Sequence, residues 1–163
     1  MVQRQWLVVV PLALLLGAGG RALAPSVARG TGGRIVDGKF ASLEASLGYH
    51  LYAPTWLPYD GRVGTLGALQ GAHRIMEDFT DKDDRALCIL SQERRTPKRD
   101  EYHERVFVKR ADARASINGK QGYFITGNSG ERRLFWAEAD MTLILSSTVL
   151  TDPELVQVAE KVK

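Results

Sequence analysis

The chain has 163 residues, 44% of them hydrophobic and 25% charged, which suits one globular domain with a short appendage. That composition excludes wholesale disorder, because enough apolar surface is available to offset the entropy of ordering. The formal charge of +3 includes Arg4 and Arg21, which flank an apolar leader; without them 20 basic residues face 19 acidic ones, a balance of +1 that gives nucleic acid no footing.

Residues 1–28 read as a signal peptide or short membrane anchor. Arg4 precedes the apolar run Trp6 to Leu16, which is 11 residues long. Signal-peptide cores run about 7–15 residues, and a spanning helix needs about 20. Gly17, Gly19 and Gly20 break a helix ahead of two small-x-small sites, Ala22-Leu23-Ala24 and Ser26-Val27-Ala28. The expectation is export to the periplasm, the extracellular space or the outer membrane face, with membrane contact only through this segment. Residues 29–38, rich in glycine, read as a linker. Residues 39–163 read as a single α+β domain.

Phe40, Leu43 and Leu47 fall on one stripe, which predicts a short helix ending at Gly48. Pro54 and Pro58 then forbid helix and predict an extended segment with a turn at Asp60-Gly61. Strands are expected at 62–69, 73–79 and 85–92, with a polar turn at 81–84. Residues 93–105 are heavily charged, contain Pro97, and read as a solvated loop. Val106-Phe107-Val108 reads as a strand. Asn118-Gly119 marks a hairpin, because both residues tolerate positive φ. Asn128-Ser129-Gly130 is another turn, and residues 134–138 and 141–147 pair about Ala139-Asp140. Thr151-Asp152-Pro153-Glu154 carries a capping box and an early-helix proline, and Leu155, Val158, Ala159 and Val162 share the face of the helix that follows. The predicted architecture is an antiparallel sheet of five to seven strands with a short N-terminal helix and a C-terminal helix, an α+β fold.

Motifs for chemistry are weak. Cys88, the one cysteine, lies in an apolar run and reads as a buried hydrophobe. The acidic stretch 77–84 lacks calcium-loop spacing and reads as a hairpin turn. His50, His73 and His103 fit no zinc or nucleophile pattern and read as surface or strand histidines. The mixed charges of 93–114 read as a solvated face laced with weak pairs. Tyr49, Tyr52, Trp56 and Tyr59 are the candidate binding residues, since aromatics with a polar edge suit recognition sites. The competing reading makes their segment a plug on the sheet with Trp56 as a core wedge.

The end of the first helix, the Pro54-to-Pro58 segment, the hairpin from Ile117 to Tyr123 and the hairpin from Leu134 to Leu143 together resemble a bacterial extracytoplasmic family known only as domain of unknown function 4367. Such domains occur in lipoproteins and C-terminal to the membrane helix of some anti-sigma factors. The resemblance spans roughly residues 40–163. It implies export and an α+β fold, and it carries over no catalytic residue. The chain lacks that family's lipid-attachment cysteine and any sigma-binding segment ahead of its apolar run.

These readings converge on an exported, non-catalytic binding or sensing domain acting through protein contacts, with another envelope protein as partner. A carrier or sensor of an apolar ligand is the alternative, and a hydrolase ranks last. No cofactor and no metal is expected.

Overall fold

The computed structural model describes residues 38–69 and 74–163. The leader reading, the linker reading up to residue 37 and His73 lie outside those residues; Gly38, given to the linker, begins the first helix. Seven strands form one antiparallel sheet: β1 (Arg62–Leu69), β2 (Arg74–Thr80), β3 (Ala86–Arg94), β4 (Ala113–Ile117), β5 (Lys120–Thr126), β6 (Arg132–Glu138) and β7 (Met141–Ser147). Their order across the sheet is β1-β2-β3-β7-β6-β5-β4. Among the described residues three helices accompany them: α1 (Gly38–Leu47), α2 (Pro97–His103), which runs on into a π-helical turn at Glu104–Val108, and α3 (Asp152–Glu160). This is the α+β architecture the sequence predicts. Among the described residues no helix is long and apolar enough to cross a membrane.

The hairpins follow from local turn chemistry. Asn118 and Gly119 both take positive φ, 50° and 81°, and close β4 onto β5 with Ile117 opposite Lys120. Ala139, at φ 48°, turns β6 into β7. Asp81 closes the β2–β3 turn, its Oδ1 accepting from the backbone N–H of Asp83 and Arg85 at 2.8 and 2.9 Å.

Alternation along the strands gives the sheet two unlike faces. One face carries the main core: Phe79, Leu90, Phe124, Leu134, Trp136, Leu143 and Leu145 are all buried, packed with Leu155 and Val158 of α3. Glu154 caps α3, accepting from the Thr151 backbone N–H at 2.8 Å and its hydroxyl at 2.7 Å. The segment 49–58 covers the same face, and Pro54 makes a single antiparallel bridge to Val162. It is a plug, but Trp56 is not its wedge. Trp56 is 41% exposed, whereas Leu51, Ala53 and Leu57 are buried. Gln92, wholly buried, pins it: its side chain exchanges bonds of 2.8 and 2.9 Å with the Tyr52 backbone and donates to Glu77.

Two expectations between residues 93 and 108 fail. The supposed loop contains α2, capped by Thr96, whose Oγ1 accepts from the Arg99 N–H, with Pro97 in the first turn. Val106 to Val108 is no strand; it lies in the π-helical turn, which buries Phe107. The segment serves as a partial second cover, lying against β5, β6 and β7 on the sheet's other face. There Phe107 stacks on Phe135 with centroids 4.8 Å apart and rings inclined by 12°, beside Ile125 and Ile144.

Candidate functional site

The second face is best followed as rows of side chains running across the strands. Register places Arg74, Glu93, Thr142 and Ala137 in one row, and Met76, Ser91, Ile144 and Phe135 in the next. The third row holds Asp78, Ile89, Ser146 and Arg133. Helix α2 and the π-helical turn lie over the β5–β6–β7 side, and the face over β2, β3 and β7 is left open. A groove of about 450 Å³ results. Its floor is Met76, Ile89 and Ile144, with the short side chains of Ser91 and Ser146 between them, and its wall is Tyr102, Val106 and Phe107. Arg74 stands at one end; Glu131 and Arg133 stand at the other.

The wall is held in place by a buried polar cluster. Glu93 and His103 each have only 2% of their side chain exposed, and His103 Nε2 lies 2.6 Å from Glu93 Oε1. On its other side His103 Nδ1 sits 3.5 Å from Thr142 Oγ1. Arg99 of α2 and Arg74 of β2 bring guanidinium nitrogens to 3.6 and 3.7 Å of the same carboxylate. Burial pushes the Glu93 carboxyl upward. The His103 contact and the two arginine charges outweigh that and hold it below the ordinary glutamate range. The imidazole also packs against Phe135 and Phe107, at centroid distances of 5.3 and 5.9 Å. Contacts from His103 and Arg99 to Glu93 thus tie α2 to β3 from inside the wall.

The expectation of a surface or strand histidine is therefore corrected for His103, which is buried. So is the solvated-face reading for Glu93. His50 is half exposed, with Nδ1 3.0 Å from Glu44 Oε1. Of the acidic stretch only residues 81–84 form the β2–β3 turn; Glu77 and Asp78 lie in β2, Glu77 buried. Among the described residues no three His, Cys, Asp or Glu are grouped to hold a metal. Cys88 is buried, and desolvation pushes its thiol up to about 12.

The aromatic candidates do not gather into one site. Tyr49 and Tyr52 are partly buried against the main core, on the face opposite the groove. Tyr59 is 59% exposed and donates to Glu154 Oε1 at 2.6 Å, a bond that raises its own pKa. None of Tyr49, Tyr52, Trp56 and Tyr59 lines the groove. Sequence reading missed the groove because its floor comes from alternate residues of three strands. One local signal was present: Thr96-Pro97 is a helix start like that at Thr151 to Pro153.

The chain matches no family model, no curated protein and no solved structure.

Proposed function

We propose that this domain is an exported, non-catalytic carrier or sensor whose site is the groove on the open sheet face. The observation that carries the reading is the groove itself. Its volume of about 450 Å³ falls within the range of about 300–1,000 Å³ usual for small-molecule sites. An apolar floor and wall with polar groups at the ends is the common plan of such sites. This favours a small apolar ligand over recognition through protein contacts. The buried Glu93–His103 pair supports the assignment, since it braces the wall from within and leaves its rim to a ligand. Export rests on the leader-like composition of residues 1–28.

The test is binding of a neutral apolar fluorophore, N-phenyl-1-naphthylamine, to the full chain. Ser91→Trp fills the middle of the floor, between Met76 and Ile144. The variant is expected to keep its circular dichroism and lose at least about tenfold in probe affinity, as blocking an apolar pocket implies. A wild-type protein that binds no probe, or a Ser91→Trp variant that binds it equally well, overturns the assignment.

A further inference from the structure

We infer that this protein is a twofold dimer in which β1 pairs antiparallel with β1 of a second copy. Strand β1 is one of the two edges of the sheet. An edge strand turns every second N–H and C=O away from its neighbour, and a further strand is what satisfies them. Among the described residues, the backbone of 62–69 bonds to β2 and to nothing else. Edges are commonly blunted by charge, proline or short length. The other edge, β4, is blunted: it has five residues, carries the exposed Arg114, and has α3 lying against it. By contrast β1 has eight residues, no proline and one charge, Arg62, which stands at its first position and already meets Asp84 at 2.6 Å. Its exposed positions include Gly64, Thr65 and Gly67. A bulge at Gly64 kinks the start of the strand. The regular stretch is therefore Thr65–Leu69, whose β2 partners run without a break from Asp78 to Arg74.

The edge itself favours a copy of this chain over a foreign strand. An edge that selects a foreign peptide draws affinity from main-chain bonds and specificity from pockets for alternate side chains. No β1 residue lines the groove, and glycine, threonine and glycine at the exposed positions offer little to read a sequence with. A copy needs no such reading. It carries the same unpaired edge, and a twofold axis lets each strand complete the other. Pairing about Gly67, the middle of the regular stretch, sets Thr65 opposite Leu69 of the second copy. Charge selects the direction. In-register parallel pairing would bring the two Arg62 side chains together, whereas the antiparallel ladder holds them about 34 Å apart, ten residues at about 3.4 Å each. The axis stands perpendicular to the sheet. One sheet of fourteen strands results, seven from each copy, with both grooves on the same face. The pairing does not depend on what the groove binds.

Gly67 sits on the proposed axis and has room for a side chain, since the nearest atom to a Cβ built there is Met76 O at 4.0 Å. Sedimentation velocity of the full chain from about 1 to 100 μM should show a species of twice the chain's mass, the mark of a micromolar association. Gly67→Lys and Gly67→Glu each set two like charges face to face on the axis. Each should weaken dimerisation at least about tenfold while leaving circular dichroism unchanged. An equimolar mixture of the two variants should restore the dimer, because opposite charges then face each other; a merely structural effect of either substitution would not be rescued in this way. A wild type that stays monomeric over that range overturns the inference and leaves the edge to a strand of another protein. A dimer that survives both substitutions has its interface elsewhere and overturns it as well. So does a mixture that is as monomeric as either variant alone.

Discussion

The internal brace of the groove wall makes a quantitative prediction. His103→Ala removes one partner of a side-chain pair that is 98% buried on both sides and leaves Glu93 charged in the interior. Breaking a buried pair in this way costs about 3–5 kcal/mol. Here the Arg74 and Arg99 guanidiniums remain at 3.7 and 3.6 Å, so the lower end of that range, about 3 kcal/mol, is expected. With a urea slope of about 1–3 kcal/mol/M, the unfolding midpoint should fall by about 1–3 M. Glu93→Gln separates charge from packing, because the amide keeps the shape and drops the charge. The double variant His103→Ala with Glu93→Gln should be less destabilised than the sum of the singles, by about 0.5–3 kcal/mol, as coupled neighbours are. The pH dependence has a fixed sign. The folded Glu93 pKa lies below the ordinary 4.5, so its contribution is present in full above that value and is lost as pH falls through the lower, folded pKa. The stability gap between wild type and Glu93→Gln should therefore close on acidification below about pH 4. Additive singles, or a gap that stays flat from about pH 7 to 3, would refute the idea that this pair holds α2 to the sheet.

Four further outcomes follow from the packing. Cys88, with its thiol pushed up to about 12 by burial, should resist a disulfide reagent in the native protein at neutral pH and react fully in denaturant, as ultraviolet absorbance of the released thiolate will show. Gly61→Ala places a methyl 2.7 Å from Leu57 Cβ, an atom fixed by its backbone, and should cost about 1–3 kcal/mol in urea unfolding. Gly122→Ala meets only the movable ends of Ile117 and Leu134 at 2.8 and 3.1 Å and should cost less. Ser147→Ala deletes a buried hydroxyl that donates to Leu87 O at 2.6 Å and accepts from Val149 and Leu150 N–H at 3.0 and 2.9 Å. Orphaning those backbone groups should cost about 1–3 kcal/mol by thermal or urea unfolding.

The elements legible in the sequence are those whose signals are local. The Asn118-Gly119 turn needs positive φ at two consecutive residues, and few dipeptides tolerate it. The capping box at Thr151 and the apolar face of α3 are contained in about a dozen residues. Register at such hairpins then sets the order of β4 to β7 without reference to the rest of the chain. The middle segment is different. Its charges, from Glu93 to Arg114, suggest solvent because isolated charges stay in water. What puts Glu93 and His103 inside is their pairing with each other and with Arg74, a strand away. That pairing spans three elements, so no window of sequence contains it.

The same reasoning explains why the groove escaped the sequence while the aromatic segment drew attention to itself. Tyr49, Tyr52, Trp56 and Tyr59 are close in sequence, but their segment docks through Leu51, Ala53 and Leu57. Two of the four aromatics pack against the core and two face solvent. Proximity in sequence thus does not make a shared site. The groove floor obeys the complementary rule: Met76, Ser91 and Ile144 are far apart in the chain but become lateral neighbours once β2, β3 and β7 are in register. What turns that row from ordinary sheet surface into a cavity is the single wall of α2 and the π-helical turn. A π-helical turn is wider than an α-turn and rare; here it lays Phe107 flat on Phe135 while Val106 turns toward the groove. The wall's position is therefore set by two contacts, the Phe107–Phe135 stack and the Glu93–His103 pair. If the groove is where this domain meets its ligand, weakening either contact should reduce probe affinity through the wall's position, even though neither Glu93 nor His103 lines the groove.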